Sequence, residues 1–370
     1  MPGWNLRDKA CLVGVGNTAY GVFPQTDAVG LGAEALKLAV EDAGIRFDDI
    51  DGVILNRLPY DRFAEVTNLN TPWLQSTEAH GRFSAIALMM AVEALATGSA
   101  TTIALVYGNN GRSAKMTYGG GPGIWAPWGF TSPGAIHAMM FRRHMAQFGT
   151  SAEDLSHIAV AFRNHALRNP AAVMRKPMTL DDHRSARRIC EPLGLLDYCL
   201  INDGGVAWIM TTAERAKDLR HKPVYVAGFA RQDDFSQNSY ANHEYWYSSL
   251  RQVADAVYER ADIPRSDIDG LMIYDNFSPT VVFALEGMGF CDQGEGGRFV
   301  RDGTLELGRG RWPTNTSGGH LSESYMQGWA LIAEGVRQLR NAAGDRQIPD
   351  CEALQFILAT SVAASIILRN

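Results

Sequence analysis

"EDAGIRFDDIDG", residues 41–52, returns as "ERADIPRSDIDG" at residues 259–270. Glu, Ala, Ile, Asp, Ile, Asp and Gly keep register between the two copies. The first copy follows the helical pattern "GLGAEALKLAV" and leads into the apolar "VILN"; the second follows "SLRQVADAVY" and leads into "LMIYD". An amphipathic helix, an acidic turn and a buried strand are therefore expected twice. Two copies this far apart predict two related halves, not a solenoid.

Working outward, "AIALMMAVEALATG" predicts a helix stopped by glycine and "TTIALVYGN" a strand. In the second half, "MQGWALIAEGVRQLRNA" predicts a helix and "ALQFILATSVAASIIL" supplies strand material. Alternation of this kind implies an α/β fold with buried sheets. Residues 108–195 break the rhythm. They open with the Gly-, Pro- and Trp-rich "GNNGRSAKMTYGGGPGIWAPWGFTSPG" and continue in helical pattern, as an inserted loop region. The halves are drawn as 1–215, which contains the insertion, and 216–370.

The chain has 370 residues, 46% hydrophobic and 20% charged, with net charge -6. That is the composition of an ordinary globular protein, and it argues against nucleic acid as a partner. The five cysteines are scattered without a CxxC pair, which suits a reducing, cytoplasmic setting. "FILATSVAASIIL" is too short and polar to span a bilayer. No HxH, HxxxH or HExxH spacing marks a metal site, and there is no GxSxG elbow. "GVGNTA" has the dinucleotide spacing, but no helical period follows; a tight glycine turn at a strand end is the expectation.

Two loops remain. "YDNFSPT", residues 274–280, follows the second-half strand; "SGGHLSESYMQG", residues 317–328, precedes a helix. Strand C-termini and helix N-termini gather at the ligand end of an α/β sheet, so both loops are expected at one pocket.

With these pieces placed, the chain resembles the thiolase superfamily, in its sterol-carrier-type branch. "VGVGNTAYG" (13–21), the run from His144 to Met210, and "ALEGMGFCDQGEGG" (284–297) carry the likeness over nearly the whole chain. The resemblance implies a thiolase-like fold of two α/β halves in five layers, αβαβα. The departures point further. The position of the family's nucleophilic cysteine falls on Gly81, flanked by His80 and Arg82. Its Asn/His position falls on Tyr274, and the His of its Gly-His-Pro motif on Tyr325. The glycine-rich C-terminal loop reads "ILATSVAAS", without its glycines.

This pattern looks like the steroid side-chain-cleaving thiolase-like aldolases. It implies retro-aldol cleavage of a β-hydroxyacyl-CoA into a steroid ketone and a short acyl-CoA such as propionyl-CoA, without a cysteine nucleophile. The coenzyme A thioester is then substrate, and no cofactor is bound covalently. A homodimer core joined by a small OB-fold partner into a heterotetramer is implied, with zinc only in that partner's zinc ribbon. Tyr274 and Tyr325 are the candidate catalytic pair, with a phenol pKa drawn down by a helix end or donors. Asp275, His320, Ser322, Glu323 and His80 are candidate supports; Glu323 equally fits the first turn of the following helix. Trp125, Trp128 and Phe130 fit either packing or a steroid pocket. Two other readings stand beside this one: an acyltransferase with an unrecognised nucleophile, Cys291 being the only cysteine near a motif, and a non-catalytic acyl-CoA or sterol binder.

Overall fold

The computed structural model describes residues 4–77, 83–116, 126–129, 132–234 and 241–370. Eleven strands occur among them: β1 (Ala10–Asn17), β2 (Gly52–Asn56), β3 (Trp73–Thr77), β4 (Thr102–Asn109), β5 (Arg188–Cys190), β6 (Leu193–Gly194), β7 (Gly204–Thr212), β8 (Val224–Asp233), β9 (Gly270–Ile273), β10 (Ala353–Leu358) and β11 (Val362–Arg369). β5 and β6 form a separate ribbon; the other nine are ordered β3-β2-β4-β7-β1-β8-β11-β10-β9.

That order mirrors itself about the β1–β8 seam, which is held by only two residue pairs, Cys11–Tyr225 and Leu12–Val224. Outward from it run β7, β4, β2 and β3 on one side and β11, β10 and β9 on the other. The counterpart of β3 shrinks to one parallel bridge, Leu271 to Thr314. The repeated acidic turns sit at equivalent places. Each follows a helix (Ala28–Ala43, Tyr247–Ala261), makes a short 3-10 turn and enters a strand, β2 or β9. The repeated Asp does the same work in both copies. Asp51 accepts from the Thr101 and Thr102 N–H groups, and Asp269 from those of Glu352 and Ala353. Each carboxylate thus satisfies free backbone donors where the adjacent strand starts.

Three core clusters fill the four interfaces between five layers, the central one enclosing the middle helix layer on both sides. The central one holds the helices Ser84–Ala96 and Trp329–Leu339 between inward residues of both halves, among them Leu105, Trp208, Met272 and Phe356. Trp208 and Trp329 stack there with ring centroids 4.2 Å apart. One outer core packs Ala28–Ala43 on the first half, and the other packs Tyr247–Ala261 and Ser278–Gly287 on the second. A helix apolar on nearly every side, such as Ser84–Ala96, is stable only when enclosed in this way.

The "GVGNTA" glycines correct one expectation. Gly14 and Gly16 lie inside β1, not in a turn. A Cβ on Gly14 would stand 2.3 Å from the Ala39 carbonyl, and one on Gly16 2.2 Å from that of Ala35. Their bareness lets the Ala28–Ala43 helix lie directly on the sheet. Between β4 and β7 the inserted region contributes the helices Pro133–Phe148, Ala152–Leu167 and Leu180–Ser185 and the β5–β6 ribbon. Among the described residues no helix is long and apolar enough to cross a membrane.

Candidate active site

β9 ends at Ile273, and Tyr274 is the next residue. Its backbone N–H donates to the Ile357 carbonyl on β10, which prolongs the parallel ladder by one step. Across from it, the missing strand is replaced by one side chain. Asn315 accepts from the Ile273 N–H with Oδ1 and donates to the Ile273 carbonyl with Nδ2, both at 2.8 Å. Asn315 itself is buried, at φ 50°. His165 secures the same turn: its Nε2 accepts from the Leu307 N–H, leaving Nδ1 to face the Asn315 carbonyl at 3.3 Å.

From Asn315 the chain turns through Gly318 (φ 109°) and Gly319 (φ 61°) into one helical turn, Gly319–Ser322. A Cβ at Gly319 would stand 2.3 Å from Asp275 Oδ2, so only glycine fits beside that carboxylate. Asp275 accepts from the His320 N–H at 2.9 Å and the Leu321 N–H at 3.2 Å. Burial pushes its pKa well above the usual carboxylate range, against the downward pull of these donors and the Asn315 amide. His320 is fully buried. The Gly328 N–H donates to its Nε2 at 2.9 Å, so the neutral ring carries its proton on Nδ1, 3.4 Å from Asp275 Oδ1. Burial draws its pKa down to about 3. It is therefore neutral at physiological pH, and its one free lone pair, on Nε2, is already taken by the Gly328 N–H.

Tyr325 is half-buried, and its backbone N–H donates to Asn202 Oδ1 at 2.8 Å. Asn202 is held by Asn109 on β4, whose Nδ2 donates to the Asn202 carbonyl. The first half therefore positions the second half's tyrosine. The Tyr274 and Tyr325 hydroxyls meet at 2.9 Å. The His320 ring packs nearly perpendicular to both, with centroids 4.7 Å and 5.1 Å away. Burial, followed by the charge that neighbouring Tyr274 and Cys199 would each carry, pushes the Tyr325 phenol well above its ordinary value. This direction is opposite to the sequence expectation, because the site's desolvation outweighs any positive helix end.

The other expected supports divide. His320 lies against the pair, and Asp275 lies behind it, holding the His320 and Leu321 N–H groups. Ser322 and Glu323 face the inserted region instead. Ser322 Oγ accepts from Arg163 at 2.9 Å, and Glu323 accepts from Ser317 and Asn169. Glu323 also ends the short turn, whereas the long helix starts at Trp329, so it is not that helix's first-turn residue. Its pKa is pushed up to about 7 by burial and by Glu334. His80, Gly81, Trp125 and Phe130 lie outside the described residues; Trp128 is 74% exposed. Burial pushes the Cys291 and Cys199 thiols far up, so neither is a ready thiolate. Among the described residues no cluster of His, Cys, Asp and Glu fits a metal ion. Asn315 and Asn202 were missed in the sequence; an isolated Asn beside a strand-like run is their only signal, and it is weak.

Comparison with known proteins places the chain in a family. Residues 233–365 match the family model described as thiolase C-terminal domain-like. A steroid side-chain-cleaving aldolase of Thermomonospora curvata is 34% identical over 362 residues, covering 91% of this chain and 92% of that protein. A 17-hydroxy-3-oxo-4-pregnene-20-carboxyl-CoA lyase of Mycobacterium tuberculosis is 33% identical over 362 residues, covering 91% and 93%. The solved structure of an Ltp2-ChsH2(DUF35) aldolase superposes with a TM-score of 0.91 at 32% identity, over 98% of both chains. Human mitochondrial 3-ketoacyl-CoA thiolase, at TM-score 0.73 and 13% identity, shares the fold alone. The chain belongs to the thiolase superfamily, among its thiolase-like steroid side-chain-cleaving aldolases.

Proposed function

We propose that this protein cleaves a β-hydroxyacyl-CoA side chain of a steroid by a retro-aldol reaction, releasing a short acyl-CoA such as propionyl-CoA and a steroid ketone. The observation that carries the reading is the 2.9 Å contact between the Tyr274 and Tyr325 hydroxyls. Breaking the bond between the α- and β-carbons turns the β-carbon into a ketone and sends the bond's electron pair into the thioester, as an enolate. One proton leaves the β-hydroxyl, and one must reach the α-carbon. Two hydroxyls in hydrogen-bond contact meet both needs: one oxygen takes the substrate proton while the other delivers a proton to carbon. Such a relay never requires a free phenolate, which agrees with the raised pKa of Tyr325. The electron sink is the thioester, so the step needs no cysteine, lysine or metal.

Asp275 and neutral His320 serve as positioning groups. His320 packs on both rings, and Asp275 ties its backbone to the Tyr274 strand end. We assign the buried thiols no role, and the acyltransferase reading loses its candidate Cys291. The aldolase structure containing a DUF35 chain supports a small partner protein here; we further propose, on the family resemblance alone, that this partner has an OB fold and holds any zinc ribbon, and that it joins a homodimer core in a heterotetramer. We divide the chain into halves 1–215 and 216–370, and place the protein in the cytoplasm on its unpaired cysteines.

The experiment is product analysis by mass spectrometry on a β-hydroxyacyl-CoA steroid without free coenzyme A, with and without an OB-fold partner. A short acyl-CoA and a steroid ketone are expected. Cleavage only of a 3-ketoacyl-CoA with added free coenzyme A would make the protein a thiolase and overturn the reading.

A further inference from the structure

Ser84 is the first residue of the 13-residue central helix Ser84–Ala96, and it is fully buried. Its Oγ has no hydrogen-bond partner. A helical serine usually relieves this by bonding the carbonyl one turn back, but at the first helical position that carbonyl lies before the helix. The N-cap is Phe83, which offers the first-turn N–H groups no side-chain acceptor. The second central helix, Trp329–Leu339, starts alongside at Gly328, also without a side-chain cap. The three features converge: a Cβ built on Gly328 would stand 2.6 Å from Ser84 Oγ and 3.3 Å from Tyr274 Cδ2. A desolvated, unpaired hydroxyl therefore lies between two helix N-termini whose N-cap residues provide no side-chain acceptor, next to the ring of a candidate catalytic tyrosine. Such a place favours negative charge.

We propose that Ser84 Oγ is a catalytic hydrogen-bond donor, taking the thioester oxygen of the substrate as that oxygen becomes an enolate. The proposal rests on the retro-aldol reading and assigns the group that receives its charge. When the bond between the α- and β-carbons breaks, the electron pair delocalises onto the thioester oxygen. Ser84 keeps its own proton throughout, and the proton balance remains with the tyrosine pair. A donor left unpaired in the resting protein costs folding free energy, which is recovered when the oxygen it awaits arrives.

The test uses the full chain, with and without an OB-fold partner, and the variant Ser84→Ala. Deuterium uptake at the α-carbon of propionyl-CoA in heavy water reads enolate formation without the steroid. Cleavage kinetics and thermal unfolding are followed in parallel. Ser84→Ala is expected to lower both exchange and kcat by about 10²-fold, the effect of removing one oxyanion donor. KM should change little, and the unfolding temperature should stay equal or rise. Exchange and kcat retained within about twofold would overturn the assignment while leaving the retro-aldol reading intact. A fall in unfolding temperature along with activity would make Ser84 a packing residue and overturn it too. A wild-type protein that neither cleaves nor exchanges would remove the retro-aldol reading, and this proposal with it.

Discussion

Tyr274 and Tyr325 share a hydrogen bond although 51 residues separate them in the chain. If the pair passes protons as one unit, the losses from removing its members are not additive. Tyr274→Phe and Tyr325→Phe should each lower kcat by about 10²-fold or more. The double variant should be scarcely worse than either single one. Single-turnover cleavage of the steroid thioester measures this; independent, multiplying losses would mean that the hydroxyls act separately.

The pH profile distinguishes a relay from a preformed phenolate. Tyr325 is pushed above its ordinary range, so its working protonated form persists through neutral pH and is lost only in strong alkali. The value of kcat should therefore be flat from about pH 6 to about pH 9 as far as this group is concerned. A rise with an apparent pKa near 8 would indicate a phenol made acidic, contrary to its desolvated setting.

The Asn315 side chain continues at Ile273 the pairing that the backbone makes at Leu271. Asn315→Ala orphans the buried N–H and C=O of Ile273, each at a cost of about 1–3 kcal/mol. A fall in urea-unfolding free energy of ~2–6 kcal/mol is expected. The remaining folded enzyme should also lose kcat, because Tyr274 follows Ile273 directly. Unchanged stability would show that the turn is held by His165 and its own backbone instead.

Glu323 gives the fold a pH dependence. Its folded pKa of about 7 lies above the unfolded value. Between the two the folded state holds a proton that the unfolded state has released. Stability from this group is fully present below about pH 4 and is lost as pH rises through about 7. Glu323→Gln should remove that slope and gain on the order of 3 kcal/mol relative to wild type at pH 8. Thermal unfolding at pH 5 and pH 8 tests it; parallel curves for the two proteins would place the slope elsewhere, for example on Glu334.

The two-half architecture was legible in the sequence because its signals are local. The recurring Asp51 and Asp269 each cap the start of a neighbouring strand, and helix and strand periods follow from which face is buried. The two tyrosines stood out for a related reason: they occupy motif positions that can be read along the chain. Tertiary structure decided what those residues meet. Nothing in "SESYMQG" states that Glu323 turns toward Asn169 while Tyr325 turns toward Tyr274. Nor does the sequence give the direction of the Tyr325 pKa, which depends on how completely the two halves exclude water around it. The roles of Asn315, Asn202 and Ser84 were silent for the same reason. A polar side chain's work is set by the groups across from it, and here those lie 42 residues away for Asn315 and in the other half for Asn202 and Ser84.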